Sequence, residues 1–183
     1  MTKPEPSAAP PPMATVRHRR IDTPLGTYVL AAGDDTLIGV WREAQKHFPV
    51  IARLGDPADG DHPILDAAAA QLLEYLNGER TAFDLPMAPV GTPFQHRVWD
   101  QLQQIPFGST TTYGAIARAL DSPRAAQAVG AAVGSNPLSI VVPCHRVLAS
   151  NGALTGYAGG METKRALLHL EGVRMEQEGA GLP

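Results

Sequence analysis

Residues 113–136 read Y-G-A-I-A-R-A-L-D-S-P-R-A-A-Q-A-V-G-A-A-V-G-S-N. Two runs with helical character, 113–120 and 124–136, flank Asp121-Ser122-Pro123, a turn composition. Two short helices joined by a turn of three or four residues form the helix-turn-helix pattern. The same pattern also describes an ordinary all-α hairpin, so the flanking sequence has to decide. Upstream, Thr92 is placed to cap a helix with Pro93 at its first position. Phe94, Val98, Leu102 and Ile105 then form one apolar stripe, and Pro106 and Gly108 end it. Downstream come a strand-like S-I-V-V, then P-C-H-R-V, a turn at S-N-G, the glycine-rich T-G-Y-A-G-G, and a last helix over METKRALLHLEG.

The first half of the chain has a different texture. From Val16 to about Trp41, short β-type runs alternate with turn residues and predict a hairpin or meander. Residues 64–77 carry apolar groups at helical spacing and stop at Gly78. The expected organisation is a proline-rich disordered tail over 1–14, an α/β domain over 15–90, a mostly helical domain over 91–175, and a flexible tail over 176–183. There are no internal repeats.

At 183 residues, 44% hydrophobic and 18% charged, the composition is that of a globular protein. No apolar run approaches the roughly 18 residues a membrane helix needs, and the N-terminus lacks the apolar core of a secretory leader. The expected setting is reducing and cytoplasmic, with no membrane partner. Net charge is −3, but it is unevenly spread: residues 1–90 balance at −4 and residues 91–175 at +3. The excess suits an anionic partner for the second half, although an ordinary solvated surface also produces it.

Cys144 is the only cysteine in the chain. A lone cysteine is usually a small core residue. Here His145 adjoins it, and Glu171 ends a helix that is able to fold back. An imidazole that accepts the thiol proton makes a nucleophilic thiolate, and a carboxylate behind the ring orients it. Neighbouring side chains in a strand point apart, so the pair can cooperate only if the backbone turns, which Pro143 favours. No histidine spacing suits a metal, and neither metal nor cofactor is expected.

P-C-H-R-V, preceded by Asn136-Pro137 and a helix-turn-helix and followed by T-G-Y-A-G-G, resembles the O6-alkylguanine-DNA alkyltransferase family from about Gly91 to Gly172. The resemblance implies a ribonuclease-H-like α/β domain followed by a mostly α domain with a winged helix-turn-helix-like DNA-binding motif. It implies irreversible, single-turnover transfer of an alkyl group from O6-alkylguanine in double-stranded DNA to Cys144, with O4-alkylthymine a second candidate substrate. His145 would act through water as base, with Glu171 behind it. Asn136 would form a hinge, and Tyr113 would donate a proton to the departing guanine. Tyr157 would wall the base pocket, the backbone of Val147 and Ala158 would read the base, and Lys164 would belong to the closing segment. Gln127, Ala126, Ala128, Arg124 and Arg146 would face DNA. Monomeric action is expected, with cooperative binding along DNA left open. Taken residue by residue, Tyr113 also reads as a core aromatic, Tyr157 as loop packing, Lys164 as a solvated charge and Asn136 as a helix stop.

The chemistry agrees with the resemblance. An alkyl carbon on oxygen calls for a soft nucleophile attacking in line, and a thiolate suits it. The target is buried in a duplex, so its base must be flipped out. A thioether has no easy hydrolytic exit, so one cysteine means one turnover.

One position departs from the family pattern. Where the family usually carries an arginine directly before A-V-G, this chain has Gln127. Glutamine is neutral and lacks the charge-assisted bonds of a guanidinium. Arg124 lies three residues earlier, but it is not the residue directly before A-V-G, so that role is not carried to it. The expectation is a competent alkyl acceptor with weakened DNA engagement. Competing readings are a non-catalytic lesion-binding relative, which the retained Cys144 opposes, a cysteine hydrolase, which lacks any accompanying motif, and a plain helix-turn-helix regulator, which leaves P-C-H-R-V unexplained.

Overall fold

A computed structural model describes residues 15–50 and 54–174. The tails expected at 1–14 and 176–183 lie outside the described residues. The N-terminal unit opens with the predicted meander: β1 (Arg17–Thr23), β2 (Gly26–Ala32) and β3 (Leu37–Arg42), each antiparallel to the next. A short β4 (Asp56–Pro57) pairs parallel to β1, giving the order β3-β2-β1-β4. The interior strand β2 is buried from Tyr28 to Ala32, because both faces of the sheet are covered. On one face lies α1 (Pro63–Leu76), through Leu65, Ala68, Leu72 and Tyr75. On the other, Leu54, Trp41 and Phe48 close over Val29 and Ala31.

The outer edge of β3 is not left open. Leu37 exchanges backbone hydrogen bonds with Pro86 and Ala88 (2.8 and 2.9 Å), and Val40 with Pro137 and Ser139 (2.8 and 3.0 Å). The linker and the segment leading to the cysteine therefore both dock on the sheet. One continuous core runs from Leu30 and Tyr75 through Trp99 and Val129 to Leu167.

In the second unit, α2 (Pro93–Gln103) starts with a full capping box. Thr92 Oγ1 accepts from the Gln95 N–H, and Gln95 Oε1 accepts from the Thr92 N–H. Its buried face is Val98, Trp99 and Leu102, and Trp99 Nε1 donates to Ala132 O at 2.9 Å, pinning α2 to α4. The helix-turn-helix follows as α3 (Tyr113–Ala119) and α4 (Ala126–Gly134). A small parallel pair, β5 (Thr111–Thr112) and β6 (Val147–Leu148), joins the front of this motif to the segment after Cys144. The last helix is α5 (Met161–Leu170).

Two expectations need correcting. The second helix of the motif begins at Ala126 rather than Arg124, because Asp121 takes a positive φ of 54° and Ala125 N–H bonds back to Ser122 O. Arg124 therefore sits in the turn. The β-branched run Ser139–Val142 is not a strand either. Ile140 has φ +72°, and Val141 N–H reaches Ser139 O at 2.9 Å, closing a γ-turn of the strained, positive-φ kind. Cys144 N–H then reaches Val142 O at 2.8 Å across Pro143 (φ −79°, ψ 64°), an inverse γ-turn. The run has no strand to pair with, since Ser139 is already spent on β3 and Asn136 draws Val142 back.

Candidate active site

The site begins with Asn136, which is buried and serves as a staple. Its Nδ2 donates to Val142 O (2.8 Å) and Leu138 O (3.3 Å), and its Oδ1 accepts from Leu138 N–H (2.9 Å). These bonds fold residues 136–142 into a closed loop. The loop delivers Cys144 to the first position of a 3-10 turn, Cys144–Arg146. This is the backbone turn that cooperation between adjacent Cys144 and His145 requires.

Cys144 retains only 6% exposure, so a reacting group has to be brought into the site. Burial pushes its thiol pKa up, opposed by the nearby Asn136 amide and by the Lys164 charge. The resting thiol is thus protonated and needs a base. His145 is fully buried, and burial pushes its pKa down despite the opposing Glu171 carboxylate, which keeps the ring neutral. His145 Nε2 lies 2.7 Å from Glu171 Oε1. An ionised carboxylate only accepts, so Nε2 carries the proton and Nδ1 is the free acceptor. Nδ1 is buried and has no protein hydrogen-bond partner.

Glu171 is the hub. Oε1 accepts from His145 Nε2, from Arg146 Nη2 (2.9 Å) and from the Tyr75 hydroxyl. Oε2 accepts from Arg146 Nε (2.9 Å) and from Gly108 N–H (2.9 Å). Burial raises the carboxyl pKa, but hydrogen bonds from His145 and Arg146 outweigh it and bring it down to about 2. Gly108 approaches closely because it has no side chain: it has φ +75°, and a Cβ there would stand 3.0 Å from Glu171 O. This full set of donors explains a carboxylate at the unfavourable C-terminal end of α5.

Arg146 corrects an expectation. Placed by the sequence reading among DNA-facing residues, it is buried instead, with Nη1 donating to Ile105 O at 2.6 Å and its fork clamping Glu171. A guanidinium facing a buried carboxylate satisfies both charges, which neither would manage alone. Lys164 is likewise fully buried, not solvated. Its Nζ donates to Val147 O (2.6 Å) and Thr155 O (2.8 Å), and burial depresses its pKa to about 8. Val147 N–H is spent on Cys144 O and its carbonyl already accepts Lys164, so a single carbonyl lone pair stays open to a ligand. Ala158 O accepts from Lys46 N–H at 3.1 Å, which ties the glycine-rich loop to the N-terminal unit. Tyr157 packs half-buried against the core, and its phenol pKa is raised by burial and by neighbouring Cys144. Tyr113, at the start of α3, packs its ring toward Gly130 of α4. Gln127 and Ala128 are exposed on α4, Arg124 is exposed in the preceding turn, and Ala126 is half-buried. None of these four touches the Glu171 network.

Sequence reasoning places no site residue in the N-terminal unit, yet two reach the site. Tyr75 joins Glu171, and Tyr28 lies in the same buried core as Cys144, its own pKa pushed up to about 12 mainly by burial. Helical periodicity reads Tyr75 as core, and strand alternation does the same for Tyr28. No local signal distinguishes a core tyrosine from one whose hydroxyl meets a carboxylate 96 residues away.

A buried thiol, a neutral imidazole pinned by a carboxylate, and an exposed helix-turn-helix define a class: a nucleophilic-cysteine protein built to meet nucleic acid. Comparison with known proteins gives the family. Residues 93–173 match the family described as 6-O-methylguanine DNA methyltransferase, DNA binding domain, and residues 16–89 match its ribonuclease-like domain. A methylated-DNA–protein-cysteine methyltransferase of Mycolicibacterium paratuberculosis is 44% identical over 85% of this chain and 92% of its own. A constitutive one from Bacillus subtilis is 40% identical over 86% and 96%. A crystal structure of Mycobacterium tuberculosis OGT in complex with DNA has a TM-score of 0.77 at 44% identity, covering 85% of this chain and 92% of that one. The chain belongs to the 6-O-methylguanine DNA methyltransferase family.

Proposed function

We propose that the protein repairs DNA by direct reversal, transferring the alkyl group of O6-alkylguanine irreversibly to its own Cys144. The observation that carries this reading is the Cys144–Arg146 turn, which sets the thiol next in the chain to His145, whose Nε2 lies 2.7 Å from Glu171 and whose buried Nδ1 has no protein partner. The thiol proton passes to His145 Nδ1, through a water. The thiolate attacks the alkyl carbon in line, the S–C bond forms as the C–O6 bond breaks, and the electron pair leaves with the guanine. Tyr113 donates a proton to the departing base and lowers the barrier. The products are unmodified guanine and an S-alkylcysteine that water does not cleave, so each molecule acts once. Tyr157, the backbone of Val147 and Ala158, and the closing segment around Lys164 shape the pocket that receives the flipped base. Asn136 is the hinge linking α4 to the thiol.

DNA is engaged by α4 and the turn before it, through Gln127, Ala126, Ala128 and Arg124. The small side chains there allow close approach to a groove. We divide the chain near residue 90, with DNA contact and chemistry in the second part; family matches that stop and restart on either side of that point support this division. We infer monomeric action in the cytoplasm. Among the described residues no helix is long and apolar enough to cross a membrane.

Intact-protein mass after incubation with a duplex bearing one O6-methylguanine tests the reading. The wild type gains one methyl group per molecule and Cys144→Ala gains none. Gain from free O6-benzylguanine but not from the duplex places the fault in DNA engagement. No gain from either substrate rejects alkyl transfer.

A further inference from the structure

Tyr75 is buried at the last turn of α1, its ring packed on Phe83 (5.2 Å between centroids) and edge-on to Phe107 (6.1 Å). Its hydroxyl donates to Glu171 Oε1 and lies 3.3 Å from His145 Nε2. Packing alone would be served by phenylalanine. The hydroxyl instead meets the same carboxylate oxygen that holds the His145 proton. Building on the reading of Cys144 as alkyl acceptor, we propose that Tyr75 is a positioning residue for His145, reaching from the ribonuclease-like unit to hold Glu171 Oε1 and share its charge.

The physical argument concerns how one carboxylate is divided. The charged and titratable groups facing His145 are Glu171 at the end of α5, Arg146 in its own turn, Lys164 on α5, Cys144 beside it, and Tyr75 on α1. Arg146 and Lys164 disfavour an imidazolium, and Glu171 favours it. A phenol donating to Oε1 draws charge from that oxygen and weakens its hold on a protonated ring. Tyr75 thereby keeps His145 neutral and able to receive the thiol proton. Without the hydroxyl, the Glu171 charge falls more fully on His145, its pKa rises, and the base is lost to protonation at a higher pH.

The test is the rate of methyl uptake from an O6-methylguanine duplex, by intact-protein mass, between pH 5 and 8 for wild type and Tyr75→Phe. The acid limb of the Tyr75→Phe profile should move to higher pH, with a rate about tenfold below wild type on that limb and convergence at the alkaline end. A role confined to packing lowers the melting temperature but leaves the acid limb in place, and coincident limbs overturn the proposal. Should Tyr75→Phe not fold, 3-fluorotyrosine inserted at position 75 keeps the hydroxyl and strengthens it as a donor. Its acid limb should move to lower pH, and an unmoved limb overturns the proposal equally. Absence of methyl uptake by the wild type at every pH removes the alkyl-transfer reading and this proposal with it, an outcome distinct from coincident limbs.

Discussion

The turn at Cys144–Arg146 and the helix α4 lie close in sequence and handle polar groups in opposite ways. The turn buries a thiol, an imidazole and a guanidinium, and meets them with a buried carboxylate, a lysine and a tyrosine. Both Glu171 oxygens are met by internal donors. α4 buries only Val129, Ala132 and Val133 and turns the neutral Gln127 and Ala128 outward. The buried network is thus separate from the surface we propose for DNA contact. The Asn136 staple at the end of α4 links the two along the chain. Substitutions in the turn should change stability and rate, and substitutions on the exposed face of α4 should change binding and repair of DNA while leaving reaction with the free base untouched.

The largest expected break of that separation is Glu171→Gln. It leaves Arg146 buried without its counter-charge and should cost about 3 to 5 kcal/mol, read as a drop in denaturation midpoint. The acid dependence follows from sign. The folded carboxyl pKa of about 2 lies below its ordinary value of 4.5, so this contribution is present above about 4.5 and lost as pH falls through 2. Stability measured against pH should show that component in the wild type and not in Glu171→Gln. A smaller effect is expected of Asn136→Ala, which removes the staple and should destabilise by about 2 to 3 kcal/mol while slowing alkyl uptake from free O6-benzylguanine as well as from DNA. If uptake from the free base is unchanged, the staple does not place the thiol. The smallest is Gln127→Arg, which should tighten duplex binding and speed repair of DNA while leaving reaction with the free base untouched. The slope of log affinity against log salt should steepen by about 0.9 for the one added phosphate contact. If neither affinity nor repair rate changes, position 127 does not engage DNA.

Much of this arrangement was legible along the chain. Thr92, Pro93 and the stripe from Val98 to Leu102 announced α2, and the meander and α1 followed from their periods. Ile140-Val141-Val142 misled because β-propensity describes a residue with a strand beside it, and here Asn136 and the edge of β3 claim the neighbouring backbone first. Arg146 read as a DNA-facing charge, and Lys164 taken by itself as a solvated one, because their partners, Glu171 and the Val147 carbonyl, come from elsewhere in the chain. Tyr75 was invisible for the same reason: a helix period registers that a side chain is inside, not what its hydroxyl meets there.

The docking of residues 137–139 on β3 has a further consequence. An unpaired outer strand is a template for another chain, and proteins normally guard such edges with charge, proline or a cover. Here the cover is the same segment that carries the active-site loop, with Pro137 and Ser139 bonded to Val40. Any opening that pulls the loop away from the sheet also bares an aggregation-prone strand. Undocking residues 137–139 would thus loosen the loop that carries the thiol and expose the Val40 backbone at the sheet edge together.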